Sequence, residues 1–458
     1  MRSNALLLFL GFMPSLSFCA PPPRHRELAS LVPIVVKNSP EGNFFDVDVA
    51  LGDSIFKLEV DTGSSDLWVA RPGFQCFDRL NNSQLAPPEV CMYETVPKYD
   101  PTMSSTFTKL KNETFGVHYG AGIALGIVGT EEVKLGDFIV HHQPIGVADR
   151  ITVPGDGISS GILGLGYPLL TSAHPGNSVP NDTISLLTNK VLYEPLLFRM
   201  HRQGLIPGWF SLALERLPKG QSAGSGGMMG LGVLPDVKTS GPFVTAPVEI
   251  TEALPVELTG GKISEWTLTV QSVVWSAGTI LRAIKTDTKR FQAVVDSGNF
   301  FNQLPQKIAD EINAEFIPPA TYEAATDSYI VSCDAVPPSF GVTIAGRTLS
   351  QSPDDMIFQL PNGTCVSAIK RGSTAEGITL NFLGGGWLQN VVAVFDFGKD
   401  EMRFAQRADR GAVFNGTTNS TTNVTPMISL AGQRESPRVG ATIALALLTC
   451  CISSLILL

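Results

Sequence analysis

Charge is scarce in this chain. Only 16% of its 458 residues are Asp, Glu, Lys or Arg, while 43% are hydrophobic. So apolar a composition buries a core, which excludes a largely disordered protein. Basic residues are the scarcer sign: 33 Lys and Arg stand against 42 Asp and Glu, for a net charge of −9. Nucleic acid is thereby excluded as the main partner, because phosphate binding needs a basic face. Histidine is scarce as well, with His25, His118, His141, His142, His174 and His201 as the full set, and no H-E-x-x-H occurs. His141 and His142 are adjacent in a strand-like run and so face opposite sides. No metal and no cofactor are expected. What is plentiful is Gly (44) and Pro (32), about one residue in six together, which suits a turn-rich β fold better than a helix bundle.

The two ends read as addresses. Residues 1–19 combine Arg2, an apolar run over 5–12 and the small residues Ser17 and Cys19, the pattern of a secretory signal cleaved after Cys19. Residues 20–30 form a short arm. The tail, residues 439–458, is apolar and ends in Leu-Ile-Leu-Leu with no basic residue after it. That fits a GPI-attachment signal better than a membrane-spanning anchor, which carries a basic cytoplasmic flank. Residues 411–438 then form a stalk and polar spacer, with Ser429 as the candidate attachment residue and Asn423 as a second one.

Seven cysteines sort by position. Cys19 lies in the signal, Cys450 and Cys451 in the tail, and Cys76, Cys91, Cys333 and Cys365 in the body. Four cysteines in a secreted chain suggest two disulfides, with three connectivities open. Proximity favours Cys76–Cys91 and Cys333–Cys365. N-glycosylation sequons occur at Asn81, Asn112, Asn181, Asn362, Asn415, Asn419 and Asn423, the last three in a stretch of Asn, Thr, Ser and Gly that cannot build a core.

The body contains a faint two-fold repeat. Leu-Glu-Val-Asp-Thr-Gly-Ser at 58–64 resembles Ala-Val-Val-Asp-Ser-Gly-Asn at 293–299. Each is an apolar strand running into Asp, a hydroxyl residue and Gly. Each is followed later by two apolar residues and Gly, at 162–164 and 382–384. Two lobes follow, 31–235 and 236–410, each offering one carboxylate: Asp61 and Asp296. The Gly-rich stretch 220–235 is a candidate for the loop-rich crossing between them. Strands are expected over 44–49, 56–60, 127–135, 138–147, 266–275 and 391–397, and helices over 183–192 and 305–316, the latter with Ile308, Ile312 and Phe316 on one face.

A carboxylate at a strand end needs a tight turn to point outward, and Gly permits one. The hydroxyls of Thr62 and Ser297 can bond across to the other lobe or to a carboxylate. Two carboxyls held together cannot both ionise cheaply, so one keeps a proton. Such a pair can share one water: the charged member takes its proton, and the protonated member donates to a peptide carbonyl. The titration belongs to the pair.

With those residues in view, the chain resembles the pepsin-like aspartic proteases over about 31–407. Val-Asp-Thr-Gly-Ser-Ser-Asp-Leu-Trp-Val at 60–69 is similar to the first active-site segment almost letter for letter. The run Tyr119, Gly120, Ala121, Gly122 resembles the flap hairpin, and the resemblance implies a bond from Tyr119 to the Trp68 indole. It also implies an all-β, bilobal fold with a few short helices and endoproteolysis at acid pH. Asp61 and Asp296 would be catalytic, with Thr62, Gly63, Ser64, Ser297, Gly298 and Asn299 supporting them. The disulfide pairs sit where the family places them. Secreted, GPI-tailed, yapsin-like fungal members are similar to this chain. The implied protein is a monomer acting on proteins or peptides at the plasma-membrane face or cell wall.

The pattern departs from the family at three places. Asn299 stands where a hydroxyl residue is usual, yet can still donate to a carboxylate, and Phe300 forgoes a polar contact to substrate. Ala121 stands where fungal relatives that accept a basic residue often carry Asp, so an apolar preference is the default. The pro-region is nearly missing. Asn299, Phe300 and the short pro-region are the support of a second reading, a catalytically weak or inactive relative that binds peptides or glycans, against which both Asp residues, Tyr119 and Trp68 count. The Gly-x-Ser-x-Gly run at 157–161 fits a serine-hydrolase elbow but lacks the strand before and the helix after it.

Overall fold

The computed structural model describes residues 29–39, 42–77, 85–86, 91–120, 122–180, 182–277, 284–375, 378–411 and 414. The signal, most of the arm, the stalk and tail, Ala121 and the sequons Asn81, Asn181, Asn415, Asn419 and Asn423 lie outside these residues, as does Ser429.

The strand that carries Asp61 shows how sequence becomes position. In Ser54–Asp61, Phe56, Leu58 and Val60 are buried on one face, while Ile55 and Lys57 start the other face at the surface. That period of two is a half-buried strand. The strand pairs antiparallel with Gly42–Leu51 and parallel with Gly161–Gly164. Gly161–Gly164 is in turn antiparallel to Leu67–Cys76, which runs parallel to Phe138–Ile151.

The second half repeats this order. Phe291–Val295, ahead of Asp296, pairs antiparallel with Thr267–Val270 and parallel with Phe382–Leu383. Phe382–Leu383 is antiparallel to Asn302–Leu304, which runs parallel to Ile369–Arg371. The two Asp residues therefore occupy equivalent places in two all-β lobes.

A strap of six antiparallel strands joins the lobes: Ser30–Ser39, Ala223–Leu231, Trp209–Leu214, Val391–Asp396, Glu401–Gln406 and Val244–Pro247. Phe210 and Phe395 stack across it at 4.8 Å, and Trp266 meets Phe395 edge-on at 5.1 Å. The Trp266 indole donates to the Leu165 carbonyl at 3.0 Å. Apolar core thus runs unbroken beneath both lobes.

Arg407 pins the strap. It is 2% exposed and donates to the Leu214 carbonyl at 2.6 Å, to Glu215 at 2.6 Å and to Asp409. Its loss leaves the buried Leu214 carbonyl without its donor, while Glu215 and Asp409, 35% and 53% exposed, can turn to water. Arg407→Leu is expected to cost about 1–3 kcal/mol, read as a shift in the denaturant midpoint. An unchanged midpoint would show that Arg407 does not hold the strap.

Most expected elements are present, with longer strands. The helix is Gln306–Asn313, begun by Pro305, with Ile308, Ala309 and Ile312 buried. The first helix is Thr183–Thr188. Two expectations change. Residues 266–275 form two strands, Thr267–Val270 and Ser272–Ser276, in different sheets, because the Gln271 amide bonds the Thr343 carbonyl and hands the chain over. Nor is 220–235 a loop-rich crossing, since Ala223–Leu231 is a strap strand. Its glycines serve close approach: a Cβ on Gly227 would lie 2.0 Å from the Ala213 carbonyl.

Candidate active site

Asp61 and Asp296 end equivalent strands, and each carboxylate turns back onto its own loop. The Gly63 amide donates to Asp61 Oδ1 at 2.8 Å, and the Gly298 amide to Asp296 Oδ1 at 3.0 Å. The loops then interlock. A Cβ on Gly63 would lie 2.6 Å from Asp296 Cγ, and one on Gly298 2.5 Å from Asp61 Oδ1. Each carboxyl therefore fills the space left by the other lobe's glycine, which brings the two face to face.

The neighbouring hydroxyls lock this arrangement by reaching across. Thr62 Oγ1 donates to the Val295 carbonyl at 2.8 Å and accepts from the Ser297 amide at 2.9 Å. Ser297 Oγ donates to the Val60 carbonyl at 2.6 Å and accepts from the Thr62 amide at 3.1 Å. All four bonds are buried, so losing a hydroxyl leaves both a carbonyl and an amide without a partner. Ser297→Ala is expected to cost about 2–4 kcal/mol by stranding two buried groups and to lower kcat more than it raises KM. Equal kcat and stability in the variant would refute this locking role.

The two carboxyls are not equivalent. Asp61 is 6% exposed and Asp296 9%. Burial pushes both above the usual carboxylate range. Asp61 is drawn partly back by a short bond from the Ser64 hydroxyl and by the Gly63 amide. Asp296 is pushed well up by burial and then by the charge on Asp61, with only backbone amides opposing. The side chain expected to help it does not: Asn299 Nδ2 donates to Gln303 at 3.2 Å, and its Oδ1 accepts from the Phe301 amide at 3.2 Å. Phe300 turns inward, 6% exposed, against Phe358 at 4.7 Å. The Ser64 hydroxyl thus favours the charge on the Asp61 side, while the titration itself belongs to the pair.

Over the pair stands the hairpin of Thr108–Tyr119 and Gly122–Leu135. Trp68 Nε1 donates to the Tyr119 hydroxyl at 2.9 Å. Gly120 is exposed, and a Cβ there would meet nothing within 4 Å, whereas Gly122, at φ +146°, has no room for one beside Thr152. The hairpin's base is tied by His174, whose ring nitrogens lie 2.7 Å from the Gly116 carbonyl and 2.6 Å from that of Asn189.

Cys76–Cys91 and Cys333–Cys365 are both bonded, with Cα atoms 5.9 and 5.2 Å apart. Asn112 and Asn362 are exposed. Ser159, centre of the Gly-x-Ser-x-Gly run, donates to Asp46 Oδ1 at 2.5 Å and meets no histidine among the described residues.

Sequence reading missed two groups. Asp66 accepts from the Ser172 amide at 2.9 Å and from the Tyr193 hydroxyl, bracing the segment between Ser64 and Trp68. Asp46, Glu59 and Asp156 form a buried acidic set beside the dyad. Glu59 could have been found, since it precedes Asp61 by two in one strand. Asp46 and Asp156 could not, because their approach depends on pairing register and loop path.

The sequence model of eukaryotic aspartyl proteases matches residues 44–407. A probable aspartic-type endopeptidase of Aspergillus fumigatus is 38% identical over 381 residues, 80% of each chain. Rhizopuspepsin of Rhizopus chinensis is 25% identical over 76% of this chain and 74% of its own. The crystal structure of an aspartic proteinase from Irpex lacteus superposes with a TM-score of 0.61 at 19% identity, over 85% of this chain and all of that one, which establishes the bilobal fold. With a motif-bearing strand in each lobe and two carboxyls brought together from opposite halves, the chain belongs to the eukaryotic aspartyl protease family and is an aspartic-type endopeptidase.

Proposed function

We propose that this endopeptidase works at acid pH on the outer face of the cell, using a water shared by Asp61 and Asp296. The observation that carries the dyad is the reciprocal fit of each carboxyl over the opposite glycine. Asp61, kept ionised by the Ser64 hydroxyl and the Gly63 amide, acts as the base and takes a proton from the water. The water oxygen then bonds to the peptide carbonyl carbon, while Asp296 gives its proton to the carbonyl oxygen. The resulting diol collapses as a proton passes to the amine, which leaves. Tyr119 and Trp68 close the site from above, and Gly120, Ala121 and Gly122 are assigned to substrate contact at the hairpin's end.

Cleavage of a denatured protein between pH 3 and 6, blocked by a statine-type mimic of the diol, tests this reading. Purified enzyme without turnover across that range would favour the second reading, a weak or inactive relative that binds peptides or glycans. The turn of Asn299 away from Asp296 is the observation on its side.

The address rests on the sequence ends. We assign 1–19 as signal and 411–438 as a glycosylated stalk, with a lipid anchor at Ser429 and a yapsin-like character. Exposure of Asn112 and Asn362 is consistent with glycan attachment. Both carboxyls come from one chain, which supports a monomer. Release of membrane-bound activity by a phosphatidylinositol-specific phospholipase C tests the anchor, and retention of that activity on the membrane would refute it.

A further inference from the structure

His174 is the one fully buried histidine among the described residues, and it sits in the short strand Ala173–Pro175 at the foot of the hairpin. That strand pairs antiparallel with Thr108–Tyr119, and Thr114 lies directly opposite His174. Both ring nitrogens face backbone carbonyls: Nε2 is 2.7 Å from the Gly116 oxygen and Nδ1 2.6 Å from that of Asn189. A carbonyl only accepts. A neutral imidazole has one N–H and one bare nitrogen, so it serves one carbonyl and sets its lone pair against the other. The imidazolium has two N–H groups and serves both. Both distances are shorter than the usual N–H···O separation of about 2.9 Å, as a charged donor gives. The geometry therefore calls for the doubly protonated ring.

The two carbonyls belong to different parts of the lobe. Gly116 stands three residues before Tyr119 in the same strand, about 10 Å along it. Asn189 is the C-cap of the short helix Thr183–Thr188, where carbonyls have no partner within the helix. Gly116 is held at its amide too, which donates to the Ser172 carbonyl at 3.0 Å. The Ser172 amide donates to Asp66 at 2.9 Å, two residues before Trp68, whose indole donates to Tyr119. A closed circuit of bonds thus runs from the first Asp segment through Ser172 and His174 to the hairpin and back. A Cβ on Gly116 would lie 2.7 Å from Leu186 and 3.3 Å from His174 Cδ2, so strand, helix and ring are in close contact. The charged and titratable groups on these elements are Glu113 beside Thr114, His118 two residues past Gly116, Asp182 at the start of the helix, Lys190 next to Asn189, Tyr193 and Asp66. Burial pushes His118 and Lys190 down and Asp66 up. The ring bonds to none of them among the described residues.

We propose that His174 is a positioning residue for the cleavage: as the imidazolium it ties the hairpin strand at Gly116 to Asn189 and so holds Tyr119 over the dyad, and loss of one ring proton releases one tie and loosens the hairpin. The proposal rests on the reading of this hairpin as the cover of the site. Histidine is the side chain that changes charge between roughly pH 5 and 8. The hairpin is therefore tied in acid and loosened near neutrality, and closure over substrate responds to pH through a group that is not part of the dyad.

The test measures KM and kcat of the full-length enzyme on a fluorogenic peptide from pH 4 to 7, for the wild type and for His174→Gln. Gln carries its donors on a single nitrogen and cannot serve both carbonyls. In the wild type KM is expected to rise about tenfold across the range, the scale of one lost hydrogen bond. In His174→Gln KM is expected to be raised by about the same factor already at pH 4 and to stay level, while the limbs of the kcat profile, which belong to the dyad, do not move. A variant whose KM follows the wild-type profile overturns the proposal. Nitrogen NMR of histidine-labelled enzyme reads the ring itself, the His174 signals being those missing from the variant. Two protonated nitrogens are expected at pH 5, with one proton lost in step with the rise in KM. A bare nitrogen at pH 5 overturns the proposal, as does a ring that keeps both protons while KM rises. Should His174→Gln fail to fold, the wild-type ring slowest to exchange its protons with solvent is read instead. An enzyme that turns nothing over excludes the cleavage but not the tie, and the Kd of a statine-type mimic then takes the place of KM.

Discussion

Asp296→Asn and Asp61→Asn are each expected to lower kcat/KM by about a thousandfold or more, within the range assigned to a positioned acid or base. The fold should survive, because an amide fits the same space and the cross-lobe bonds of Thr62 and Ser297 do not involve the carboxyls. The two variants should still differ. Asn at 61 accepts less well from the Ser64 hydroxyl and the Gly63 amide, so it loses the base. Asn at 296 removes the group that burial and the neighbouring charge keep protonated, so it loses the acid. Single-turnover cleavage of a fluorogenic peptide from pH 3 to 6, with circular dichroism as a control on folding, reads both. The wild-type profile should be bell-shaped, its limbs belonging to the pair. Intact activity in either variant would remove that residue from the chemistry.

The second large effect is a loss of folding stability as pH rises. Burial raises Asp46, Glu59, Asp61, Asp66 and Asp296 above the usual range, and like charges add to this at Asp46, Glu59 and Asp296. A carboxyl raised in the folded state binds its proton more tightly there than in the unfolded chain. Its contribution is fully present below about pH 4, the ordinary carboxyl range, and is lost as pH climbs through the folded value. Each such group withdraws up to about 1.4 kcal/mol per pH unit in that window. Several such groups losing their protons as pH rises bear on a domain stability of only about 5–15 kcal/mol. Four of the five belong to the first lobe, which should melt first. In the second lobe burial pushes Glu265 up to about 7, with the same sign. Asp409 works the other way: its bond to Arg407 lowers it, so its contribution is present above about pH 4 and fades as pH falls. Calorimetry from pH 4 to 8 should show a steep decline in the first transition, and Glu59→Gln should flatten it. A transition that holds steady to pH 8 would refute the assignment.

Which parts of this were legible in the residues follows from the range of each interaction. Asp61 and Asp296 could be read because the chemistry compresses into a local pattern of strand, Asp, hydroxyl and Gly. The disulfides were favoured by short separation, and the helix at Gln306–Asn313 by its apolar spacing after Pro305. Ala223–Leu231 was hidden because its glycines signal turns in isolation, whereas here they admit neighbouring backbone. Asn299 was misjudged because reach does not determine direction: Gln303 and the Phe301 amide offered nearer partners than the carboxylate. Glu59 was readable from its place two before Asp61, but Asp46 and Asp156 were not, because their approach to it depends on strand register and loop path.

The Ser64 hydroxyl has no counterpart opposite, and this has a directional consequence. A pair of carboxyls related by a two-fold axis would accept a polypeptide laid in either sense, since rotation exchanges the halves. A polypeptide is not so indifferent, having a carbonyl that must be protonated and a nitrogen that must depart. One extra donor on a single side makes the two ends of the groove inequivalent and so selects the orientation in which a strand is threaded before it is cut.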